Sequence, residues 1–296
     1  MTSSLCIGTA QFGFKYGVTN KDGIVSIEEV QKIIDMAYDS GVKYIDTAQA
    51  YGKSEEILGK TIRDNQNFKI ISKISSPNKI KSGLELINEL EVKFEQSLQN
   101  LKKNSIDTLL IHNSQDLRSA HGKDILMWLK NLKINKLVKR IGISVYSFDE
   151  IDDIKLSDFD VIQIPLSIFD QRLLNRGYLK KIISSDCKIH IRSIFLQGLV
   201  LAKTSNLPNF LSEEFKNHHK KFSNFAKINK ISKLNLACSF IKSLNNVEAT
   251  LIGVDNLVQF SQIISIWNKN DLNSINKNLF DFSWDKIQDV DPRYWN

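Results

Sequence analysis

The chain has 296 residues, of which 42% are hydrophobic and 25% charged, and its formal net charge is +7 at pH 7. This composition is ordinary for a globular protein with a large core. No segment approaches the roughly 18 consecutive apolar residues that a membrane span needs, and the start, MTSSLCIGTAQFG, lacks a basic leader. We therefore expect a cytoplasmic protein without a membrane partner.

The positive charge predicts solvated helix faces rather than a nucleic-acid site. Lysines are interleaved with glutamates in segments such as LEVKFEQSLQNLKKN, and the densest basic run, KNHHKKF, is short. His218 and His219 in that run diverge by about 100° on a helix, so they cannot hold one metal ion, and we predict no metal site. The cysteines are odd in number and far apart, which predicts small buried hydrophobes without disulfides: Cys6, Cys187 and Cys238.

Short apolar runs alternate with longer segments of helical spacing along the chain. The runs are LCIGTA, KYIDTA, FKIISKI, IDTLLIHN, KRIGISV, DVIQIPLS, KIHIRSIF and EATLIGV. The first helical segment, SIEEVQKIIDMAYDSG, has Ser26 and Glu29 as a capping pair and Gly41 at its end. Its apolar stripe is Val30, Ile33, Ile34 and Ala37. Similar segments follow, among them GLELINELEVKFEQSLQNLKK, GKDILMWLKNLK and NLVQFSQIISIWNK.

Eight strand–helix units indicate parallel strands joined by helical crossovers. In this length they favour a closed (β/α)8 TIM barrel, with residues 1–296 as a single domain. The alternative is a doubly wound open sheet, which would normally have a G-x-G-x-x-G turn after its first strand. The first strand here leads into GTAQFGFKYG, whose glycine spacing does not match. The barrel is therefore the predicted fold.

Polar residues stand where the predicted strands end, which is where barrel active sites form. In order they are Asp46, Tyr51, Lys73, His112, Ser144 and Gln163. Lys73 lies in an apolar strand, and its ammonium requires a partner away from water. Asp46, at the end of the preceding strand, can pair with it.

Tyr51 can reach the same cluster from its loop. A phenol has an ordinary pKa of about 10, and a neighbouring Lys73 is expected to lower that value. His112 could orient a carbonyl oxygen or join a proton relay. Taken singly, each residue has a simpler interpretation: a strand-end cap for Asp46, a half-buried aromatic for Tyr51, a lysine that reaches solvent for Lys73, and a core histidine for His112. Their coincidence at three successive strand ends favours a proton-delivery site.

These motifs resemble those of the aldo/keto reductase family over nearly the whole chain. YIDTAQAYGKSEEILG resembles the family's Asp-and-Tyr signature, and ISKI and LLIHN its lysine and histidine strands. KRIGISVYS, VIQIPLSIFDQR and IRSIFLQGLV resemble its fifth, sixth and seventh strand segments. GTAQFGFKYGVTNKDG together with a DPRYW ending is similar to a bacterial subgroup associated with surface-polysaccharide and sugar biosynthesis.

The resemblance implies a barrel that binds NADP or NAD and reduces an aldehyde, ketone or sugar carbonyl, or runs the reverse reaction. Hydride would come from the nicotinamide and the proton from Tyr51, with Lys73 and Asp46 tuning Tyr51 and His112 orienting the substrate. Ser144 and Gln163 would bind the nicotinamide carboxamide. The other implied cofactor-binding residues are Thr9, Asp46, Arg192, Ser193, Phe195, Gln197, Gly253, Asp255, Asn256 and Gln259.

Within that set, Arg192 would stack on the nicotinamide in place of an aromatic residue. Ser193, Phe195 and Gln197 would follow the pyrophosphate. The segment 253–256 opens the last helix, whose amides could receive a phosphate, and helix capping by Asp255 or Asn256 is the alternative.

Several departures from the family pattern affect cofactor and substrate. Val145 replaces a frequent carboxamide-binding asparagine, and Gln259 and Gly253 replace basic residues of relatives that prefer NADPH. A 2′-phosphate needs cationic partners, so we expect NADH to compete well with NADPH. The segment after Trp284 is short, which predicts an open pocket. The walls are expected around Phe12, Tyr16, Tyr146 and the residues after Gln197.

Two other functions remain open from the residues alone. The barrel could be a nucleotide-binding regulatory subunit with little turnover, although the intact set of Asp46, Tyr51, Lys73 and His112 argues for catalysis. It could also be an isomerase or aldolase that uses Lys73 as a Schiff-base nucleophile. In either case the partner is a small molecule, and a monomer or weak homo-oligomer is expected.

Overall fold

The computed structural model describes residues 3–77, 82–152, 154–175, 177–269 and 279–295. Eight parallel strands form a closed barrel in chain order, and the last strand pairs with the first. This confirms the predicted (β/α)8 barrel and rejects the open sheet. The strands are β1 Ser4–Gly8, β2 Tyr44–Asp46, β3 Lys69–Ile74, β4 Ile106–Ile111, β5 Val138–Ser144, β6 Val161–Pro165, β7 Lys188–Arg192 and β8 Val247–Gly253.

Helices follow the strands as the periodicity predicted, with short helical turns added in the loops. The α-helices are α1 Ala10–Gly13, α2 Ile27–Asp39, α3 Ser54–Thr61, α4 Gly83–Leu101, α5 Gln115–Arg118, α6 Gly122–Ile134, α7 Phe148–Asp152, α8 Arg172–Asn175, α9 Tyr178–Ile183, α10 Glu213–Ile228, α11 Lys233–Lys242, α12 Leu257–Trp267 and α13 Ile287–Val290. Short 3₁₀ turns occur at Leu156–Asp158, Leu196–Gly198, Thr204–Asn206, Phe280–Phe282 and Pro292–Tyr294.

Helix α2 shows how well the local pattern predicted structure. Its predicted apolar stripe is buried, and the Ser26 hydroxyl accepts a hydrogen bond from the Glu29 amide at 3.3 Å. The helix ends at Asp39, and Gly41 follows with a left-handed φ of 76°. Such a backbone conformation is accessible to glycine without the Cβ clash that other residues suffer.

The hydrophobic core has two parts. The larger cluster fills the space between the strands and the surrounding helices, and a smaller one fills the barrel interior. The interior cluster is Cys6, Tyr44, Ile71, Leu110, Val161, Ala249 and Leu251. All three cysteines are buried and free, which confirms the expectation that none forms a disulfide.

The two adjacent histidines of the basic run have separate partners. His218 and His219 bind different partners: the His218 ring contacts the carbonyl oxygen of Phe282 at 2.9 Å, and the His219 ring that of Leu199 at 3.1 Å. No group of metal-binding side chains occurs in the described ranges. Likewise, none of the helices described is long and apolar enough to cross a membrane.

A charged cluster lies at the barrel end opposite the predicted site. The Arg140 guanidinium donates to Asp107 Oδ1 at 2.7 Å and to Glu248 Oε2 at 2.7 Å, and Glu248 Oε2 also lies 2.8 Å from the His190 ring. Since barrel active sites form at the carboxyl end of the strands, this amino-terminal cluster contributes to stability. The functional residues must be sought at the other end.

Candidate active site

A cavity of about 470 Å³ opens at the carboxyl ends of the strands. It is lined by residues near the ends of the strands and in several of the loops that follow, and these include all four residues predicted to be catalytic: Asp46, Tyr51, Lys73 and His112. It also contains the predicted cofactor-binding residues Thr9, Ser144, Gln163, Arg192, Ser193, Phe195, Gln197, Gly253, Asp255 and Gln259. Asn256 is not among the lining residues.

Lys73 is the centre of the cluster. Its ammonium donates hydrogen bonds to Asp46 Oδ1 in a short contact, to the Thr47 carbonyl oxygen at 3.1 Å and to the Tyr51 hydroxyl at 3.2 Å. The side chain is 1% exposed, so the alternative in which it reaches solvent is wrong. Strands β2 and β3 place the pair, because Asp46 is the last residue of β2 and Lys73 lies near the end of its neighbour.

Asp46 uses both carboxylate oxygens. Oδ1 accepts from Lys73, and Oδ2 accepts from the Gln163 side-chain amide at 2.8 Å. Its backbone carbonyl accepts from the amide and the hydroxyl of Thr9, both at 3.0 Å. Asp46 therefore does more than cap a strand, since it compensates the buried ammonium and fixes its position.

The charge states in the cluster follow from burial and from its contacts. Burial favours the neutral amine, but Asp46 and Tyr51 outweigh it and raise the pKa of Lys73. For Tyr51, in contrast, burial raises the pKa, and the opposing effect of the Lys73 charge is smaller. The expectation that Lys73 brings this pKa below its ordinary value is therefore wrong, because desolvation of the phenolate exceeds the attraction of the ammonium. At neutral pH Tyr51 is a phenol that holds its proton.

His112 faces the Tyr51 ring edge-on, with ring centroids 5.7 Å apart and planes at 83°. Its side chain is only partly buried and lines the cavity, unlike a core histidine. Burial, together with the charges of Lys73 and Arg192, lowers the pKa of His112 to about 3. The imidazole is therefore neutral at physiological pH and can donate one hydrogen bond into the cavity without carrying charge.

Gln163 has an acceptor suited to an amide ligand. Its Nε2 donates to Asp46, while its buried Oε1 receives no hydrogen bond from the described part of the chain. A buried acceptor without a partner costs about 1–3 kcal/mol. A carboxamide N–H entering the cavity, whose lining includes both Gln163 and Ser144, would satisfy it. The residues present thus fit a nicotinamide.

The loop after β7 is held in an uncommon backbone conformation. Three residues other than glycine have left-handed φ values: Ser193 at 65°, Leu196 at 48° and Gln197 at 53°. At Gly198, with φ of 93°, a Cβ atom would lie only 1.8 Å from Thr19 Oγ1. Strained backbone of this kind persists where the surroundings enforce it and is concentrated at binding sites. The segment predicted to follow the pyrophosphate is one of these places.

The start of α12 shows the helix capping that was the alternative to a phosphate site. Asn256 Oδ1 accepts from the Gln259 amide at 2.9 Å, so Asn256 caps the helix. The Leu257 amide donates to Glu29 Oε1 of α2 at 2.7 Å. Gln259 Oε1 accepts from the Asp255 amide at 2.9 Å. The first turn is thus already satisfied in part by the chain itself, including a carboxylate.

Several lining residues escaped the sequence argument. Asn20 donates to Asp255 Oδ1 at 3.2 Å and to the carbonyl oxygens of Tyr16 and Gly23, so it shapes the cavity mouth. The signal in the sequence that could have indicated this role is Gly17, a turn glycine three residues before Asn20. Phe12, expected in the cavity wall, is fully buried in the core. Tyr16 and Tyr146 do line the cavity.

The model of the Aldo/keto reductase family matches residues 4–278, and the chain belongs to that family, which implies an oxidoreductase. Among solved structures, the aldo-keto reductase AKR11C1 from Bacillus halodurans, in its holo form, has a TM-score of 0.77 at 16% identity, covering 97% of this chain and 95% of that chain. PA4992 from Pseudomonas aeruginosa, named as an aldo-keto reductase, has a TM-score of 0.64 at 19% identity over 90% of both chains. At these identities the likeness concerns the fold alone. No curated protein sequence matches the chain.

Proposed function

We propose that this protein is an NAD(P)-dependent aldo/keto reductase that reduces the carbonyl group of an aldehyde, ketone or sugar, or oxidises the corresponding alcohol. The observation that carries the proposal is the buried Lys73 ammonium, which hydrogen-bonds the Asp46 carboxylate and the Tyr51 hydroxyl at the floor of the cavity. An ion pair that also contacts a phenol is suited to proton transfer to an oxygen that gains negative charge.

Each residue has a distinct role in the proton transfer. Because Lys73 donates to the Tyr51 oxygen, the Tyr51 proton is free to pass to the substrate oxygen. The ammonium then stabilises the phenolate that remains, and Asp46 holds the ammonium in place. Neutral His112 donates a hydrogen bond to the same substrate oxygen and orients it.

When bound, the nicotinamide would supply the hydride that the carbonyl carbon receives. Ser144 and Gln163 would hold its carboxamide, and the face of the Arg192 guanidinium would contact its ring. The segment 193–197 would lie along the pyrophosphate, and Thr9, Gly253, Asp255 and Gln259 would complete the cleft. We expect NADH to bind within about tenfold of NADPH, since Gln259 and Asp255 offer a 2′-phosphate no positive charge.

The other functions are less well supported. A Schiff base needs a free amine, whereas Lys73 is charged, buried and hydrogen-bonded three times. A regulatory subunit would not require the combination of Lys73, Asp46 and Tyr51.

The test is Tyr51→Phe, which removes the hydroxyl group that would donate the proton and keeps the aromatic ring. We expect turnover to fall by at least about a hundredfold, the usual contribution of general acid catalysis, while NADH and NADPH affinities change little. Turnover is measured by cofactor fluorescence with a panel of aldehydes and sugars, and affinity by fluorescence titration. Tyr294→Phe, at an exposed position, is the matched control.

Two results would contradict the proposal. If Tyr51→Phe keeps its turnover, another group donates the proton. If the unaltered protein binds either cofactor but turns over no carbonyl compound in the panel, the regulatory function is the better one.

A further inference from the structure

Arg192 differs from other arginines of the chain in its electrostatic surroundings. Arg63, Arg140, Arg172 and Arg293 each form an ion pair with a carboxylate. Arg192, at the end of β7, pairs with no carboxylate among the described residues, although it is partly buried and lines the cavity. A guanidinium kept from full hydration needs an anion.

The guanidinium is fixed in place by neutral groups. Its Nη2 donates to the Val145 carbonyl oxygen at 3.0 Å and its Nη1 to Ser193 Oγ at 3.3 Å. Its Cζ lies 4.0 Å from the centre of the Tyr146 ring. A guanidinium has five N–H donors, and these contacts use two of them. The other three donors have no acceptor among the residues that the structure describes.

A second arginine supports the Tyr146 ring without supplying free charge. Arg293 Cζ lies 4.3 Å from the same ring, but its charge is compensated by Asp291 at 2.6 Å and Glu150 at 3.2 Å. Glu150 also accepts from the Tyr146 amide at 2.9 Å. The carboxyl-terminal segment therefore holds the Tyr146 ring in place. Of the two arginines that contact this ring, Arg192 is the one that lines the cavity and has no carboxylate partner among the described residues.

Arg192 lines the same cavity as Tyr51 and His112. Its charge contributes to lowering the pKa of His112 and opposes the rise in the pKa of Tyr51 and Tyr16. Of the other cations that line the cavity, Lys73 is compensated by Asp46, and Lys21 and Lys203 are exposed to solvent. An anionic group on a substrate whose carbonyl oxygen lies at Tyr51 would therefore meet an unpaired arginine.

We propose that Arg192 makes this site selective for carbonyl substrates that carry a carboxylate, which it binds through the edge of its guanidinium. The inference rests on the proposed carbonyl reduction and names its substrate class. A planar fork of donors matches a carboxylate in geometry, and one positive charge matches its single negative charge. The same guanidinium can still present a face to the cofactor.

The test compares acids with their methyl esters, which have similar carbonyl reactivity but no charge. The pairs are 4-formylbenzoate with methyl 4-formylbenzoate, and 4-oxobutanoate with methyl 4-oxobutanoate, at saturating NADH or NADPH. For the unaltered protein we expect the acid to exceed its ester in kcat/KM by about tenfold or more in at least one pair, since hydrogen bonds to charged groups have that strength.

Variants assign the preference to Arg192. In Arg192→Met the acid-to-ester ratio should fall by about tenfold or more, mainly through KM for the acid. Arg192→Lys, which keeps the charge but loses the fork, should give an intermediate ratio. Arg63→Met removes the same charge from an exposed pair outside the cavity and should leave the ratio unchanged. NADH affinity of each variant is measured by fluorescence titration.

Three kinetic outcomes overturn the inference. The unaltered protein could show no preference for the acids, or Arg192→Met could leave the acid-to-ester ratio unchanged. The third is an equal loss of activity for acid and ester together with weaker NADH binding, which would make Arg192 a cofactor residue only.

Should no carbonyl compound be turned over, the redox function fails, and calorimetry still decides the inference. Titration of 4-(hydroxymethyl)benzoate and its methyl ester with NAD⁺ present would then support it if the acid binds more tightly and Arg192→Met removes the difference, and equal affinities would overturn it.

Discussion

At the scale of single residues, the environment of a group determines its role more than its identity does. Tyr51 and His112 are both titratable side chains, and burial shifts both toward the neutral form. The phenol then retains a proton to give, and the imidazole retains a single N–H donor. Only Lys73 stays charged, because Asp46 is in contact with it. The site therefore combines a neutral acid with a fixed cation.

The neutral state of His112 has a consequence for the pH profile. Its pKa of about 3 in the folded protein lies below the ordinary value of about 6.5, so the unfolded chain binds more protons between these values. Stability contributed by His112 is thus present above about pH 6.5 and is lost as the pH falls toward 3. We expect kcat/KM to show no ionisation of His112 between pH 5 and 8.

Variants of His112 test the hydrogen-bond role. His112→Gln keeps an N–H donor and should stay within about tenfold of the unaltered protein, whereas His112→Phe should lose about a hundredfold in kcat/KM, as for removal of one donor to a developing oxyanion. Steady-state kinetics across the pH range provide the measurement. An acidic limb near pH 6.5 that disappears in His112→Gln would show that the imidazole titrates after all.

Sequence reasoning singled out Lys73 and Asp46 because each breaks a local pattern. A lysine inside FKIISKI and an aspartate at the end of an apolar strand are costly when unpaired, and their positions on adjacent strands indicated the pairing. The direction of the Tyr51 pKa could not be predicted the same way. It depends on whether desolvation or the Lys73 charge is larger, and this is set by packing around the ring.

At the scale of elements, two carboxylates lie at the junction of α2 and α12. Glu29, near the start of α2, accepts a hydrogen bond from the first amide of α12, and Asp255 stands immediately before that helix. Carboxylates there offset the positive end of the helix dipole. Within the proposed function, a 2′-phosphate at this helix end would be repelled.

Glu29→Gln tests this effect. The amide keeps an acceptor for Leu257 but removes the charge, so we expect NADPH to bind a few-fold more tightly, in keeping with about 0.3–1 kcal/mol for a charge at a helix end, with NADH affinity unchanged. Fluorescence titration with both cofactors measures it. Glu28→Gln, at the neighbouring exposed position, controls for net charge. Equal shifts for both cofactors would contradict the explanation.

The elements also show what a pattern cannot predict. Periodicity located the strands and α2 because repeating apolar positions determine a buried face. The left-handed residues Ser193, Leu196 and Gln197 have side chains that do not require such a backbone, so nothing in their identity indicated it. The contact of Glu29 with Leu257 joins residues 228 positions apart, and it depends on how the closed barrel brings α2 and α12 together.

At the scale of the whole molecule, the carboxyl-terminal segment supports the cavity from outside. None of the residues described in 279–295 lines the cavity. Nevertheless, Arg293 contacts the Tyr146 ring and pairs with Asp291 and Glu150. Asp291 is almost completely buried, and Arg172 lies 3.8 Å from it. The end of the chain is thus connected to the loops after β5 and β6.

Arg293→Met tests the importance of this connection. Since Arg293 is 41% exposed, solvent screens its pairs, and we expect a loss of about 1 kcal/mol, which corresponds to a melting temperature lower by roughly 2 °C in a chain of this size. Thermal unfolding measures it, with the exposed ion pair of Arg63 tested as Arg63→Met for comparison. An equal or smaller loss for Arg293→Met would mean that the segment is held by its apolar contacts alone.

The pairing of β1 with β8, in which Ser4 faces Ala249 and Gly8 faces Gly253, has a consequence for synthesis of the chain on the ribosome. Lys73 and Asp46 come from neighbouring strands and can meet while most of the polypeptide is still untranslated. The cleft between β1 and β8 cannot close until nearly six-sevenths of the residues have emerged, as the strand numbers show, and such distant pairings form slowly. The four residues proposed for proton transfer have therefore all emerged long before β8, the strand that completes the cleft proposed for the nucleotide.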